Sequence, residues 1–447
     1  LKNKWRQDIH LEPPSGWLND PNGLCFFNGK YHVYFQYAPD SAQGKGKKCW
    51  GHYESPDLLS WRFTGTVLYP DSPDDATGVY SGSAIQDGDL LYLFYTGNVK
   101  EPGDFDYIKA GRQANTIFVT TRDGHNMSEK TVVMRNKDYP AFCSCHVRDP
   151  KLWRQDGKWY MIQGARTLED EGCALIFSSD DLINWSYDRR IYIPDFGYMW
   201  ECPDLLNVDG REYLSLSPQG VPHGEYGFQN VYSSGYFRLT DGVPTDYREW
   251  DKGFDWYAPQ TFIAPDGRLI MIGWMGIGDI PYTNPTTDLG WQHCLTVPRE
   301  ITADGDGSLL QNPVRELEKL REDETHPDKD APFEILLPSD ILIGVQDSFK
   351  IVLDEKLYLT YDKNVFSLKF TDDSIAFGRD VRKTIIQDLR EIRILCDKSS
   401  LEIYLNGGEQ VMSTRFYPGS ESISFRCEGQ VNVTVYKLKP MDINFVD

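Results

Sequence analysis

The sequence predicts an all-β fold, a five-bladed β-propeller followed by a C-terminal β-sandwich. Three observations carry this expectation. A glycine turn leading into an aromatic-rich strand recurs through the first 300 residues, its copies lie about 60 residues apart, and the tail alternates apolar and polar residues with a period of two.

The recurring unit reads Asn28-Gly29-Lys-Tyr-His-Val-Tyr-Phe in its first copy and Asp87-Gly88-Asp-Leu-Leu-Tyr-Leu-Phe in its second. Asp156-Gly157-Lys-Trp-Tyr-Met-Ile, Asp209-Gly210-Arg-Glu-Tyr-Leu-Ser-Leu and Asp266-Gly267-Arg-Leu-Ile-Met-Ile follow. Asn-Gly and Asp-Gly centre tight hairpins because both positions tolerate positive φ. The five glycines are 59, 69, 53 and 57 residues apart. That spacing holds about four strands and their loops, one propeller blade. Units one and three also close alike, on Ser55-Pro-Asp-Leu-Leu-Ser-Trp61 and Ser179-Asp-Asp-Leu-Ile-Asn-Trp185. A single sandwich with coincidental spacing is the weaker alternative.

After the repeats, the polar run from Arg321 to Pro332 reads as a linker. The predicted organisation is a propeller over 1–320, a linker over 321–333 and a sandwich over 334–447. In the last part Val431, Val433 and Val435 alternate with Asn432, Thr434 and Tyr436, and Leu401, Ile403 and Leu405 alternate with Glu402 and Tyr404. Such alternation fits sheets with one buried face.

Composition narrows the function. The chain has 447 residues and a formal net charge of −21, which repels phosphate backbones and anionic lipid. Nucleic acid and membrane are therefore not expected partners, and a small neutral ligand is. An anionic ligand would need a local basic pocket. Nine cysteines in irregular spacing, without a signal-peptide pattern at Leu1-Lys-Asn-Lys-Trp5, predict reduced thiols and a cytoplasmic protein. Cys143 and Cys145 lack the second pair a zinc site would need. No cofactor is predicted.

Acids recur at one place in the repeat. Asp20 lies 9 residues before Gly29, Asp149 lies 8 before Gly157, and Glu201 lies 9 before Gly210. Equivalent positions in a propeller point to equivalent places. On the strand entering each first hairpin, they converge at one mouth of the central channel. Their settings are Trp17-Leu-Asn-Asp20-Pro-Asn-Gly23, His146-Val-Arg-Asp149-Pro150 and Met199-Trp-Glu201-Cys-Pro-Asp204, each with a proline that interrupts regular pairing. Converging carboxylates suit glycoside hydrolysis, in which one attacks or activates water and another protonates the leaving oxygen. Like charges raise a neighbour's proton affinity, so one acid can stay protonated, and Arg148 is expected to keep Asp149 ionised. Calcium is the rival use of three carboxylates, but no loop supplies its further oxygen ligands.

These motifs resemble the glycoside hydrolase family 32 β-fructosidases: invertases, sucrose-6-phosphate hydrolases and fructan hydrolases. Gln36-Tyr-Ala-Pro39, Trp50-Gly-His-Tyr-Glu-Ser-Pro-Asp-Leu58, Tyr80-Ser-Gly-Ser83, Arg148-Asp-Pro150, Glu201-Cys-Pro203 and Phe254-Asp-Trp-Tyr-Ala-Pro-Gln260 carry the likeness through the propeller, and Ser399–Glu409 carries it into the tail. The resemblance implies a five-bladed propeller with a sandwich, and a retaining enzyme acting on sucrose, its 6-phosphate or short fructo-oligosaccharides. It implies Asp20 as nucleophile, Glu201 as acid and base, and Asp149 as transition-state stabiliser. Nucleophile and acid are then expected about 5–5.5 Å apart. Asn19, Gln36, Trp50, Ser81, Arg148, Tyr257 and Trp274 are the implied sugar-binding residues.

The loop Ser41-Ala-Gln-Gly-Lys-Gly-Lys-Lys-Cys49 departs from the family by lacking a tryptophan. Its Lys45, Lys47 and Lys48 are candidate phosphate contacts or a solvated basic turn. Two other readings stand beside the fructosidase. One is a furanosidase for another sugar such as arabinan. The other is a non-catalytic fructoside-binding protein, against which the presence of both Asp20 and Glu201 counts.

Overall fold

The computed structural model describes residues 4–328 and 331–445. Four-stranded antiparallel sheets follow one another along the chain. The first holds β1 (Gly16–Phe27), β2 (Lys30–Ala38), β3 (Cys49–Ser55) and β4 (Ser60–Leu68). The second holds β5 (Gly78–Asp87), β6 (Leu90–Lys100), β7 (Arg112–Thr121) and β8 (Thr131–Met134), and the third β9 (Cys143–Gln155), β10 (Lys158–Thr167), β11 (Gly172–Ser179) and β12 (Ser186–Tyr192). Then come β13 (Met199–Val208), β14 (Arg211–Gln219), β15 (Gly235–Thr240) and β16 (Val243–Glu249). A further sheet is built on β17 (Tyr257–Ile263), β18 (Leu269–Met275), β21 (Arg299–Ala303) and β22 (Leu309–Pro313). Two short strands lie between them, β19 (Trp291–Gln292), which pairs parallel to β1, and β20 (Cys294–Leu295), which pairs with β18.

The first strands of these sheets, β1, β5, β9, β13 and β17, stand side by side around an axis. Hydrogen bonds and one ion pair link them in a closed circuit. Gly82 N–H donates to Asn22 Oδ1 (3.0 Å) and Ser83 Oγ to Pro150 O (2.8 Å). Lys151 Nζ lies 3.2 Å from Asp204 Oδ2, which also accepts from Thr261 Oγ1 (2.8 Å), and Leu24 N–H donates to Gln260 Oε1 (3.0 Å). Within the second sheet β5 packs so tightly on β6 that a Cβ on Gly82 would lie 1.9 Å from the carbonyl oxygen of Phe94. The architecture is all-β, a propeller followed by a β-sandwich-like sheet, and among the described residues no helix is long and apolar enough to cross a membrane.

The tail sheet folds about two long paired strands, β25 (Ser339–Leu353) and β32 (Ser422–Leu438). β25 changes partner along its length: Ser339–Gly344 pair with β29 (Glu391–Asp397) and Phe349–Leu353 with β26 (Leu357–Asp362). Val431, Val433 and Val435 of β32 enter one apolar core with Ile341, Ile343 and Ile394, as their alternation requires. The other prominent strand departs from that pattern. β30 (Ser400–Leu405) buries both faces, because Glu402 and Tyr404 point into the propeller.

The predicted linker needs correction. Arg321–Thr325 is a strand, β23, pairing with β32, and Arg321 ion-pairs with Asp340 at 2.7 Å. Its polar composition marks an exposed edge strand rather than an unpaired connection. Phe333–Leu336 (β24) pairs with β32 as well. Residues 329 and 330 of the expected linker lie outside the described residues, as do 1–3 and 446–447 at the ends of the expected domains. The last strand, β33 (Asp442–Phe445), returns to pair parallel with β4.

A fully buried charge network joins propeller to tail. Arg299 donates from Nε and Nη2 to Glu402 Oε2 (2.9 and 2.6 Å) and faces Asp251 at 3.3 Å, while His10 bridges Asp397 (2.8 Å) and Glu402 (2.9 Å). Breaking such a network costs far more than its net contribution, because the surviving partners stay charged and dry. Arg299→Met is expected to lose about 3–5 kcal/mol of stability in urea unfolding. A loss below about 1 kcal/mol would place it with exposed ion pairs instead.

Candidate active site

The first strand of each of these sheets breaks register with its neighbour. The breaks fall between Leu18 and Pro21, between Val79 and Gly82, at the Arg148–Lys151 turn of β9, between Glu201 and Asp204, and between Tyr257 and Gln260. A β-bulge re-aims the side chains it contains. Here the bulged segments carry Asn19 and Asp20, Tyr80 and Ser81, Asp149, Glu201 and Tyr257. Proline, which cannot donate to a ladder, follows at 21, 150, 203 and 259. Asp149, Cys202 and Ala258 take positive φ, +61°, +48° and +50°, immediately before theirs.

The bulged side chains line one cavity of about 220 Å³. Asp20, Asp149 and Glu201 all face it, with Asn19, Gln36, Ser81, Arg148, Tyr257 and Trp274 around them. Trp50 is not in the wall. It is fully buried among Tyr34 and Tyr95, behind Tyr80, whose carbonyl accepts its Nε1–H at 3.1 Å. Lys45 and Lys47 are exposed on their turn. Lys48 folds back: its Nζ donates to Gly44 O (2.9 Å) and sits 5.0 Å from the centre of the Trp17 ring. Burial pulls its ammonium down to about 8, against the field of Asp20.

A relay of amides holds Asp20. Trp17 Nε1 donates to Asn19 Oδ1 (2.8 Å), and Asn19 Nδ2 donates to Gln36 Oε1 (2.8 Å) and Asp20 Oδ1 (3.1 Å). Gln36 Nε2 donates to Ser81 Oγ (2.7 Å), which donates to Asp20 Oδ2 at 2.5 Å. Burial raises the Asp20 carboxyl, and the Ser81 and Asn19 donors oppose it. Both oxygens are thus aimed and hydrogen-bonded as a carboxylate would be.

Glu201 accepts from Tyr257 Oη (2.8 Å) and Gln219 Nε2 (2.9 Å), and Arg148 Nη1 approaches its Oε1 at 3.3 Å. Asp149 Oδ2 accepts the backbone N–H of Cys202 at 2.8 Å, and the Cys202 thiol approaches at 3.6 Å. The expectation that Arg148 secures Asp149 as a carboxylate is not met: the guanidinium hydrogen-bonds Glu201, and its pull on Asp149 is outweighed by burial and by the charge of Glu201. Asp149 is raised by burial and then by the charge of Glu201, and Glu201 is raised chiefly by its own burial. The two carboxyls titrate as a pair, and near neutral pH the pair can hold a proton.

Gln219, Tyr80, Tyr232 and Asp279 also line the cavity and were not singled out from the sequence. Gln219 has a faint signal, since it lies late in the strand after a repeat glycine, as Gln36 does in the first unit. Tyr232 and Asp279, joined by a 2.8 Å hydrogen bond, lie in loops outside the repeat and give none. Among the described residues, no group of three or more His, Cys, Asp or Glu is placed to hold a metal ion.

Comparison with known proteins gives the family. The family model for the glycosyl hydrolases family 32 N-terminal domain matches residues 10–313, and that for the family 32 C terminal matches residues 354–440. A sucrose-6-phosphate hydrolase of Bacillus subtilis (strain 168) is 37% identical over 97% of this chain and 94% of its own length. A raffinose invertase of Escherichia coli is 34% identical over 94% and 91%. Among solved structures, a sucrose-6-phosphate hydrolase from Lactobacillus gasseri superposes with a TM-score of 0.87 at 28% identity, covering 98% of this chain and 94% of that one. A Bombyx mori GH32 beta-fructofuranosidase variant in complex with sucrose gives 0.86 at 27% identity, covering 99% and 95%.

Proposed function

This chain belongs to glycosyl hydrolase family 32, and on that premise we propose that it is a retaining β-fructofuranosidase acting on sucrose, sucrose 6-phosphate or short fructo-oligosaccharides. The observation that carries the reading is the convergence of Asp20, Asp149 and Glu201 on one cavity. Asp20 attacks the anomeric carbon while Glu201 gives its proton to the leaving oxygen, forming a fructosyl-enzyme ester. Glu201 then takes a proton from water, which cleaves the ester.

The raised pair explains how the proton reaches Glu201. In the free site Tyr257, Gln219 and Arg148 all face Glu201 as donors, which favours its carboxylate, so Asp149 competes for the proton. Fructosyl hydroxyls donating to Asp149 stabilise the Asp149 carboxylate and move the shared proton to Glu201, where the leaving group needs it. Asp149, ionised in the complex, then stabilises the oxocarbenium-like charge. Trp274, packed against Trp17 (5.8 Å between ring centres), offers an apolar wall for the sugar face. The charge of Lys48 favours the ionised form of Asp20.

Five blades, one for each first strand in the circuit around the axis, form the catalytic unit over 1–320, with the sandwich over 334–447. The irregular spacing of the cysteines favours reduced thiols and so a reducing compartment, the cytoplasm. The test is methanolysis of sucrose followed by NMR. Methyl β-fructofuranoside is the expected product, and the α-anomer, or no fructosyl release, would refute the reading.

A further inference from the structure

Next to Arg148, which lines the cavity, lies a group of cations that the fructosyl chemistry does not use. Lys100 ends β6 and Arg112 begins β7, and the two are direct register partners across the ladder. Like charges placed opposite each other in a sheet are destabilising, and each normally has an acid nearby. Here neither has one: among the described residues, no carboxylate ion-pairs with Lys100 or Arg112. The neighbouring Arg166, by contrast, is held by Asp170 at 2.8 Å. The nearby acids are engaged elsewhere, since Glu101 accepts from Gln113 Nε2 (3.1 Å) and Asp106 from the Ile108 N–H (3.1 Å).

The polar neighbour of Arg112 is a ring that cannot neutralise it. Arg112 Nη1 lies 3.1 Å from His146 Nε2, and Arg148 Nη2 contacts the Nδ1 of the same ring. Burial and the two guanidinium charges push the imidazolium form of His146 down to about 2, so the ring is neutral. Arg112 Nε is buried with no hydrogen-bond partner. The field of Arg112 reaches Tyr80 and Glu201, both in the cavity wall. Three cations, Lys100, Arg112 and Arg148, therefore repel one another in a protein whose net charge is −21, and Arg148 lies in the cavity wall. Of the three, only Arg148 has an ion pair among the described residues, with Glu201 at 3.3 Å, while Lys100 Nζ lies 5.4 Å from the centre of the Tyr107 ring. Such an arrangement is stable in function when the missing anion arrives with the ligand.

We propose that Lys100 and Arg112 form an anion subsite beside Glu201 that receives the phosphate of a phosphorylated leaving sugar. The assignment rests on the fructosidase reading, because Glu201 must face the leaving group for a cation beside it to meet that group's phosphate. It also moves the phosphate contact away from Lys45 and Lys47.

The experiment compares kcat/KM for sucrose 6-phosphate and for sucrose in the wild type, K100Q, R112Q and the K45Q/K47Q double variant. Glucose 6-phosphate and glucose serve as inhibitors of sucrose hydrolysis. The expected result is a wild-type preference for the phosphorylated substrate that falls at least tenfold in both K100Q and R112Q, mainly through KM. Glucose 6-phosphate should lose its advantage over glucose in the same variants. Because Lys100 is exposed, K100Q keeps the test decisive if R112Q folds poorly. An unchanged preference in K100Q, a loss confined to K45Q/K47Q, or an absent wild-type preference with sucrose turned over normally would each overturn the subsite and leave the fructosidase reading intact. Turnover of neither substrate would overturn both.

Discussion

Asp20→Ala is expected to lower kcat for sucrose by on the order of 10⁴-fold or more, about 5.5 kcal/mol of barrier, with the fold retained. No neighbour can replace it. The donors around Asp20 end on its two oxygens, with Asn19 on Oδ1 and Ser81 on Oδ2. The other two carboxyls belong to the raised pair and are held by different partners, Asp149 by the Cys202 N–H and Glu201 by Tyr257 and Gln219. Alanine removes the attacking oxygen and leaves the amide relay of Trp17, Asn19 and Gln36 in place. Binding of a fructoside should survive in part, so the loss should appear in kcat more than in KM. Circular dichroism and turnover on the purified variant check the result. Activity within tenfold of wild type would remove Asp20 from the nucleophile's role.

Glu201→Gln is expected to cost about 10²–10⁴-fold in kcat on sucrose, the usual contribution of general acid–base catalysis. Its distinguishing mark is leaving-group dependence. A fructoside whose leaving group departs without protonation needs no acid in the first step, so the deficit in forming the fructosyl-enzyme should shrink with an activated aryl fructoside. The pH profile gives a second check. Burial raises the Glu201 carboxyl, so the protonated acid persists above the ordinary carboxylate range and activity falls as pH rises through that raised value. In Glu201→Gln the alkaline limb should vanish, because glutamine has no proton to lose. Persistence of the same limb, together with an equal deficit on both substrates, would assign the acid to another group.

Much of this was legible in the chain because it repeats. Asp-Gly turns at a regular spacing fix where hairpins fall, and acids at one offset from Gly29, Gly157 and Gly210 fix which strand they share. In the other two units that offset falls on Tyr80, 8 before Gly88, and on Ala258, 9 before Gly267, with the cavity residues Ser81 and Tyr257 next to them. Those residues are not acids, so the pattern was visible there only through the family motifs. Trp50 shows the limit of motif reading. It belongs to a family signature, yet its role in this fold is to pack behind Tyr80.

The sequence by itself determined the fold class, the strand that carries each site residue and the three carboxylates. These are local properties: turn chemistry, alternation and spacing along one chain. Only the tertiary structure decided which charges meet. It gave Arg148 to Glu201 rather than to its neighbour Asp149, because a bulge turns adjacent side chains in different directions. It made Arg321–Thr325 an edge strand, and it buried Glu402 against Arg299 across the interface. It also placed Lys100 opposite Arg112, 12 positions away in the chain, while leaving Lys45 and Lys47 in solvent. Electrostatic partners are set by distance and dielectric in three dimensions, and neither quantity is written in the order of residues.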